Sequence, residues 1–407
     1  MKKYNIIDLF SGCGGLLDGF LQSGLYNHVA SVEWEKAPVN TLRKRLFDKY
    51  GIKEVEKSVI LFDMQRTDEL LHGFTDETYG SNPGLLQLIG KNKIDFIIGG
   101  PPCQAYSVAG RVSVDQKTKP DYRNYLFEYY LKIVSTLKPK LFVFENVPGM
   151  LTAMPDGTPI IDLIRRDMDK AGYEIVDDIR KYAILDTSDY GIPQCRKRVI
   201  LLGLSKEYFK NFDIQNLLHH FYGDIINSEK VKTKKTVKET IGDLPGCYPL
   251  FTDKAPSHTT PKTNITWQIP RFNSSRDVKI FQMLADDLAS GRNEYQNSEK
   301  LKELYNKVTG AHTSVHKYHV LKPDDPSTTI LAHLYKDGLR FIHYDSKQAR
   351  TITVREAARL QSFDDDFDFV GSQGDAFKMI GNAVPPKFAL MLSKAIDKLI
   401  REVINYV

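Results

Sequence analysis

A cysteine that follows two glycines and two prolines is the residue of this sequence best suited to chemistry. Residues 97–107 read Ile-Ile-Gly-Gly-Pro-Pro-Cys-Gln-Ala-Tyr-Ser, and the apolar residues before Gly99 predict a buried strand. The glycines and prolines predict a rigid turn that holds Cys103 exposed at the mouth of that strand. A thiolate in such a position can act as a covalent nucleophile. Taken alone, the pattern leaves a nucleophile and an inert thiol equally open.

A carboxylate and two arginines are predicted to lie near the same crevice. Glu145 ends an apolar run, and the carboxyl ends of parallel strands are where active sites assemble. Arg196 and Arg198 stand just before another predicted strand, which puts them on one face of an extended chain. Paired arginines suit a phosphate or an oxygen-rich base edge, although each could instead form a surface ion pair.

A glycine-rich turn follows the first predicted strand and lets the backbone approach a ligand. This turn spans residues 10–15, Phe-Ser-Gly-Cys-Gly-Gly. Further along, Glu33 and Trp34 place a carboxylate for ribose hydroxyls beside an aromatic face for an adenine ring. Asp63 is either a third acidic group of this site or a turn cap. The turn lacks the glycine spacing of a dinucleotide loop, so a nucleoside with an amino-acid tail fits equally well.

The elements that must position these residues alternate between apolar runs and amphipathic stretches. The predicted strands are residues 4–10, 28–33, 94–98, 141–145 and 199–203. An amphipathic helix is predicted over residues 125–137, between two of these strands. This order predicts an α/β fold with a doubly wound sheet.

The alternation is lost between residues 204 and 350. Helical periodicity survives there mainly in residues 278–288 and 298–307. It resumes at Thr351, and residues 388–403 carry apolar side chains at helical spacing. We therefore predict a first domain over 1–203, an irregular domain over 204–350, and a C-terminal segment over 351–407 that packs back on the first domain.

The composition is that of a globular protein with sizeable cores. The chain has 407 residues, of which 42% are hydrophobic, and a net charge of +5. No signal peptide or membrane-spanning run is apparent, so we expect a soluble, cytoplasmic protein. Basic clusters at residues 196–198 and 230–238 are candidate phosphate contacts, although the second suits a merely solvated face as well.

Neither a metal site nor a disulfide framework is expected. The four cysteines are scattered and form no CxxC pair. Three histidines, His312, His316 and His319, lack a carboxylate or cysteine partner nearby in the sequence. We interpret this histidine segment as part of a basic groove wall.

Six blocks of the sequence together resemble the cytosine-C5 DNA methyltransferases of restriction-modification systems. The blocks occur in the order of that family and span almost the whole chain. They are residues 8–15 (Asp-Leu-Phe-Ser-Gly-Cys-Gly-Gly), 100–104 (Gly-Pro-Pro-Cys-Gln), 145–147 (Glu-Asn-Val), 194–198 (Gln-Cys-Arg-Lys-Arg), 353–359 (Thr-Val-Arg-Glu-Ala-Ala-Arg) and 381–386 (Gly-Asn-Ala-Val-Pro-Pro). The resemblance implies a methyltransferase domain over 1–203 and a target-recognition domain over 204–350.

The resemblance implies catalytic roles that agree with the chemistry of cytosine. Cys103 would add to C6 of the ring, and Glu145 would stabilise the charge that develops at N3. Arg198 would contact the ring oxygen, and Arg196 would hold the loop or a nearby phosphate. S-adenosylmethionine would donate the methyl group to C5 after the cytosine has flipped out of the duplex.

The resemblance also implies binding residues and partners. The cofactor positions are Phe10, Gly12, Gly14, Glu33, Trp34, Asp63, Leu126 and Asn382, and the DNA positions are Gln104, Ser107 and Thr329. Thr329 also fits an ordinary turn after proline. The implied partner is double-stranded DNA, without a membrane or metal. We further expect the protein to be a monomer, to associate with the nucleoid and to have a cognate restriction endonuclease that acts on the same site.

Three other functions remain to be weighed against this one. A tRNA cytosine-C5 methyltransferase would use the same catalytic residues, but the long segment 204–350 favours a DNA reader. A catalytically silent DNA-binding relative would typically lack the cysteine or the glutamate, and this chain keeps both. A nicotinamide-dependent oxidoreductase would explain the glycine turn, but not Cys103, Glu145 and the two arginines together.

Overall fold

The computed structural model describes residues 3–102, 126–154, 157–295, 297–313 and 318–405. The chain forms two compact units. The first unit comprises Met1–Tyr190, Lys197–Lys232 and Ala383–Val407, and the second comprises Gly191–Arg196 and Thr233–Asn382. The predicted domain bounds at 203 and 350 remain a prediction, and the units divide the chain at different residues.

The first unit is built on an eight-stranded sheet. Its strands are β1 (Tyr4–Leu9), β2 (Tyr26–Glu33), β3 (Val59–Leu61), β6 (Phe96–Gly99), β7 (Leu141–Asn146), β8 (Tyr173–Glu174), β9 (Ile184–Asp186) and β10 (Lys197–Ser205). A separate two-stranded sheet consists of β4 (Phe74–Asp76) and β5 (Gly80–Asn82). The order is β3-β2-β1-β6-β7-β10-β8, and β9 also pairs with β10. The five adjacent strands β3, β2, β1, β6 and β7 are parallel, whereas β10 is antiparallel to β7, β8 and β9.

This sheet confirms the predicted α/β class and the five predicted strands. The apolar runs became central strands because burial on both faces favours continuous β-branched and aromatic side chains. Ile6, Ile97 and Phe142, for example, are fully buried. The parallel order also brings the carboxyl ends of β1, β2, β6 and β7 to one edge of the sheet.

Helices cover the sheet of the first unit. They are α1 (Gly15–Gln22), α2 (Lys36–Tyr50), α3 (Val55–Ser58), α4 (Thr67–His72), α5 (Leu85–Ile89), α6 (Leu126–Leu137), α7 (Ile160–Lys170), α8 (Ile179–Tyr182), α9 (Ile214–His220) and the C-terminal Pro386–Asn405. The C-terminal helix packs against α1. A Cβ atom on Gly19 would lie 2.2 Å from the carbonyl oxygen of Pro386, so this close helix contact requires glycine.

Residues 204–232 belong to the first unit because a tyrosine ties them to the sheet. Tyr222 lies in the π-helical segment Phe221–Ile226 and is buried. Its hydroxyl donates to the carbonyl of Ile200 at 2.8 Å and accepts from the amide of Leu202 at 2.9 Å. Both partners lie in β10, so the segment after this strand folds back along it.

The second unit contains helices joined by irregular segments. Its helices are α10 (Val237–Ile241), α11 (Ser275–Ala289), α12 (Ser298–Thr309), α13 (Val354–Leu360) and α14 (Gln373–Asn382), and the C-terminal helix of the first unit is therefore α15. Among its described residues, strand pairing is limited to isolated bridges such as Gln194 with Ser327. A hydrophobic core forms where α11 and α12 pack together, with Phe281, Leu304 and Ile342 buried in it.

A buried ion pair holds the start of α13 in the second unit. The guanidinium of Arg350 donates hydrogen bonds of 2.7 Å to both carboxylate oxygens of Glu356, and both side chains are almost fully buried. The same carboxylate accepts from the amide of Thr353 at 2.8 Å, which completes a capping box. Burial alone would raise the pKa of Glu356, but the Arg350 charge and these hydrogen bonds lower it to about 2.

Replacing this carboxylate is expected to destabilise the second unit in a pH-dependent manner. Glu356→Gln should lower the free energy of unfolding by about 3 kcal/mol at pH 7, because it leaves the buried Arg350 without its counter-charge. The folded pKa of Glu356 lies below its ordinary value of 4.5, so this stabilisation is complete above pH 4.5 and is lost as the pH falls toward 2.

Urea unfolding of both proteins between pH 7 and pH 3 measures this effect. The difference between them should shrink as the pH falls. Glu299→Gln, which changes an exposed glutamate in the first turn of α12, is the matched control and should have little effect. A difference that stays constant over the pH range would contradict the linkage.

Candidate active site

A carboxylate and an arginine meet at the carboxyl end of β7. The Oε1 atom of Glu145 lies 2.8 Å from Nε of Arg198, and both side chains are only slightly exposed, at 12% and 11%. Antiparallel pairing of β7 with β10 produces the contact, since Glu145 pairs with Ile200, two residues beyond Arg198. A second guanidinium nitrogen of Arg198 donates to the carbonyl of Lys197 at 2.8 Å. The site therefore holds a positioned carboxylate beside a fixed cation.

The turn after β6 lies against this carboxylate. A Cβ atom on Gly100 would be 2.6 Å from Oε2 of Glu145, closer than any side chain permits. Asn146, which is buried, donates from its amide nitrogen to the carbonyl of Pro101 at 3.4 Å. The glycine thus makes room for the Glu145 carboxylate, and the asparagine ties the turn to β7.

The residues that follow this turn are not described. Cys103, Gln104 and Ser107 lie outside the described residues. Pro101 and Pro102 are described, and they lead directly to Cys103 in the sequence. The proposed nucleophile is therefore placed by its sequence position alone.

The glycine-rich turn after β1 is fastened to the end of β2. Glu33 is buried, and its Oε2 accepts from the amide of Gly12 at 2.8 Å. Its Oε1 accepts from the amides of Trp34 and Glu35, each at 2.9 Å. Burial raises the pKa of Glu33, and these backbone hydrogen bonds oppose the rise. A carboxylate has about four acceptor positions, so capacity remains for ligand hydroxyls.

The turn itself has a backbone that favours glycine. Gly12 and Gly14 have positive φ angles of 54° and 86°, and Gly14 is the N-cap of α1. A Cβ atom on Gly14 would lie 2.4 Å from Cδ1 of Leu42, whereas one on Gly12 would meet no atom within 4 Å. Open space therefore lies beside the backbone of Gly12, as a bound ligand requires.

The remaining cofactor positions of the first unit occupy different environments. Trp34 follows β2 and is 53% exposed, so about half of this aromatic residue is accessible to a ligand. Asp63 follows β3, and its Oδ1 accepts from the amide of Gln65 at 2.9 Å, which is the contact of a turn cap. Leu126 begins α6 and is buried. Glu33 and Trp34 thus fit an adenosine group, and Asp63 performs at least a structural role.

Asp8 is a buried carboxyl group of this region to which the sequence reasoning gave no role. It lies in β1, two residues before Phe10, and is 1% exposed. Neither carboxyl oxygen has a hydrogen-bond partner among the described residues. Burial, with a smaller contribution from Glu33, raises the pKa of Asp8 well above its ordinary value. The available signal was a single acidic residue between two apolar residues, Ile7 and Leu9, inside a strand.

Arg196 and Thr329 lie in the second unit, where their hydrogen bonds join residues 195–196 to residues 329–330. Arg196 is 1% exposed and donates to the carbonyl oxygens of Ile330 at 3.0 Å and Gly381 at 3.1 Å. The hydroxyl of Thr329 donates to the carbonyl of Cys195 at 2.6 Å. The two arginines thus have different partners, because β10 begins at Lys197 and only Arg198 lies in it. Arg196 positions backbone at this point.

Gln194, the first residue of the 194–198 block, is a further residue of this arrangement, and the sequence assigned it no role. It is fully buried, and its side-chain oxygen accepts from the amide of Ile330 at 2.9 Å. Its amide nitrogen donates to the carbonyl of Leu360 at 3.3 Å. Asn382, a predicted cofactor residue, is the last residue of α14 in the same unit and is exposed.

The family of the chain follows from a match over nearly its whole length. Residues 4–398 match the model of the C-5 cytosine-specific DNA methylase family. The chain belongs to this family. The methylase is 33% identical over 462 aligned residues to the type II methyltransferase M.Bpa9945I of Bacillus paralicheniformis, covering 98% of this chain and 99% of that protein.

Another relative and two solved structures are also similar to this chain. M.DdeI, a type II methyltransferase of Desulfomicrobium norvegicum, is 30% identical over 416 aligned residues, covering 97% of this chain and 88% of that protein. A protein described as a DNA modification methyltransferase encoded within an E. coli prophage superposes with a TM-score of 0.61 at 25% identity, over 98% of this chain and 100% of that one. The Dnmt2 methyltransferase of S. pombe shares the fold, with a TM-score of 0.53 at 14% identity over 98% of this chain and 99% of that one.

The structure of the methylase brings together some of the predicted site residues. Glu145 and Arg198 are in direct contact, and Glu33 binds the turn that contains Gly12. Within the described residues, no helix is both long and apolar enough to cross a membrane.

Proposed function

We propose that this methylase transfers a methyl group from S-adenosylmethionine to C5 of a cytosine in duplex DNA, with Cys103 as its covalent nucleophile. The contact between Glu145 and Arg198 carries the proposal. It fixes a carboxyl group and a guanidinium side by side, next to the turn that leads into Cys103. A cytosine ring offers N3 and the 2-oxo group at adjacent positions, so one ring can engage both groups.

The reaction begins with addition to the ring, because C5 is a poor nucleophile until C6 is attacked. The Cys103 thiolate forms a bond to C6, and the displaced electron pair spreads toward N3 and the ring oxygen. Glu145 donates a proton or a hydrogen bond to N3, and Arg198 donates to the oxygen. C5 would then form a bond to the methyl carbon as the bond between that carbon and the sulfonium sulfur of S-adenosylmethionine breaks, which leaves S-adenosylhomocysteine as the product. A base removes the C5 proton, and the returning electron pair breaks the bond between C6 and sulfur.

The cofactor residues of the first unit suit an adenosine group. When bound, S-adenosylmethionine supplies an electrophilic methyl group. Glu33 accepts from the ribose hydroxyls and Trp34 stacks on the adenine, since its ring is half exposed. The open space at Gly12 lets the backbone approach the cofactor. The other residues assigned to the cofactor are Phe10, Gly14, Asp63 and Leu126 in this unit, and Asn382 in the second unit.

The target cytosine has to leave the duplex to reach Glu145, because stacked bases cover C5 and C6. Gln104, Ser107 and Thr329 contact the DNA around the flipped nucleotide, and Arg196 holds the segment that carries Thr329. We further propose that the methylase acts as a monomer in the cytoplasm, on nucleoid DNA. There it protects the recognition sites of a cognate restriction endonuclease.

Trapping with 5-fluorocytosine tests this function. Fluorine at C5 cannot leave as a proton does, so a methylated covalent adduct between the enzyme and a duplex containing 5-fluorocytosine should accumulate. The adduct is measured as a band of reduced mobility in a denaturing gel, and it should require S-adenosylmethionine. Cys195→Ser, which alters an exposed free cysteine, should still form it.

Two outcomes would contradict the proposal. If the wild-type enzyme methylates ordinary DNA but forms no adduct, addition to C6 is wrong. If methyl groups enter tRNA and not duplex DNA in parallel assays, the proposed substrate is wrong.

A further inference from the structure

A hairpin in the second unit projects from a firmly held base. Residues 248–259 form this hairpin, which we call the 248–259 hairpin. Its arms are joined by hydrogen bonds from the amide of Leu250 to the carbonyl of Ser257 at 2.9 Å and from the amide of Thr259 to the carbonyl of Tyr248 at 2.8 Å. Pro249 and His258 form a β-bridge between the same arms.

Buried polar contacts fix the base of the 248–259 hairpin. The imidazole of His258 is almost fully buried, and its Nε2 donates to the carbonyl of Gln348 at 3.0 Å. The hydroxyl of Ser257 donates to Nδ1 of the same ring at 3.0 Å and accepts from the amide of Asn273 at 2.9 Å. Nearer the tip, Asp253 accepts from both the amide and the hydroxyl of Ser275. The hairpin is therefore a preorganised element.

The same hairpin exposes large apolar side chains to solvent. Phe251 at the tip is 66% exposed, and Tyr248 and Leu250 on the adjoining arm are 49% and 47% exposed. These side chains add little to the core of the unit, whereas a cluster of exposed apolar residues marks a binding surface. A rigid hairpin with an apolar tip is suited to pack against another molecule.

The charge around the hairpin indicates the kind of partner. Residues 246–277 contain four lysines and arginines and two acidic residues, Asp253 and Asp277, so their net charge is +2. Arg276 is paired with Asp277, and Asp253 accepts hydrogen bonds from Ser275. Lys254 and Lys262 are exposed and have no ion-pair partner among the residues described. Apolar rings beside unpaired cations complement the bases and the phosphates of a nucleic acid.

We propose that the 248–259 hairpin contacts the bases of the target duplex, with Phe251 packed against a base face or a thymine methyl group. Lys254 and Lys262 contact phosphates beside it. The inference rests on the proposed function, and it deepens that function by naming residues that read the target sequence. Phosphate contacts add affinity for any sequence, whereas apolar contact with a base depends on which base is present.

Replacing Phe251 tests the inference against a matched exposed phenylalanine. The probe is a duplex that carries the site mapped by bisulfite sequencing of plasmid methylated by the wild-type enzyme. Phe251→Ala should raise the Kd for this duplex by roughly 10-fold or more, as loss of a ring contact with a base does. Phe47→Ala changes a residue of α2 that is 56% exposed and should leave this Kd unchanged. Phe251→Tyr keeps the ring and should bind like the wild type.

Further measurements separate reading of bases from general affinity. In Phe251→Ala, the Kd for S-adenosylmethionine and the urea midpoint should stay at their wild-type values, and methylation should spread to sites that differ at one position. Lys254→Gln should weaken binding to all duplexes by a similar factor and reduce its salt dependence.

Each failure has a distinct meaning. If Phe251→Ala binds and methylates its site like the wild type, the inference is overturned while the proposed function stands. The inference is likewise overturned if the wild type dimerises and Phe251→Ala only abolishes the dimer, since the tip would then contact a second copy. If the wild-type enzyme itself transfers no methyl group to DNA, the proposed function has failed first.

Discussion

Cys103→Ser is expected to reduce the rate of methyl transfer to duplex DNA by on the order of 10⁴-fold or more, as loss of a covalent nucleophile does in other enzymes. A serine hydroxyl has almost the same size as a thiol, but its proton leaves only at much higher pH. At neutral pH the variant therefore offers no anion to attack C6, and C5 is never activated.

Incorporation of tritiated methyl groups into DNA measures this loss. The Kd for S-adenosylmethionine should change little, because the Glu33 and Trp34 region that is proposed to bind the cofactor is untouched. Cys195→Ser controls for the loss of a thiol elsewhere. Wild-type turnover in Cys103→Ser would show that the reaction does not pass through C6 addition.

Glu145→Gln is expected to lower kcat by about 10²-fold to 10⁴-fold, the range attributed to a positioned general acid. The amide fills the same space beside Arg198, so binding of DNA should be affected less than kcat. It cannot give up a proton, however, and it places a neutral group where the carboxylate now lies 2.8 Å from the guanidinium. Single-turnover kinetics with bound DNA would isolate the chemical step.

A second variant moves the Glu145 carboxylate without changing it. The Cβ atom of Gly100→Ala would meet Oε2 of Glu145 at 2.6 Å, and the end of the side chain can move away more easily than the backbone can. We expect kcat to fall by about 100-fold from this displacement, with a nearly unchanged urea midpoint. Gly223→Ala is the control, because a Cβ atom there meets no atom within 4 Å. Full activity in both Glu145→Gln and Gly100→Ala would remove the carboxylate from the mechanism.

The strand pattern and the end at which Glu145 lies were predictable from the sequence. Continuous apolar runs such as residues 141–144 are the pattern of strands that become buried on both faces, and this pattern is visible in residues adjacent in the sequence. The doubly wound order then places the residue after each run at one edge of the sheet. The positions of Glu33 and Glu145 at the ends of β2 and β7 follow from these two rules.

The different partners of Arg196 and Arg198 were not predictable in this way. Both are arginines, two residues apart, and their spacing predicts one shared face. Arg198 contacts Glu145, whereas Arg196 binds the carbonyl oxygens of Ile330 and Gly381. The partners of Arg196 lie 134 and 185 residues further along the chain, beyond the reach of any local pattern.

The sequence by itself determined the order of the chemical groups, including Cys103 after its Gly-Gly-Pro-Pro run and a carboxylate at the end of a later strand. Only the tertiary structure decided which groups touch. It placed Arg198 against Glu145, left Asp8 buried in β1, and exposed Phe251 at the tip of a fixed hairpin. The physical reason is that strand formation depends on adjacent side chains, whereas burial and pairing depend on residues brought together by folding.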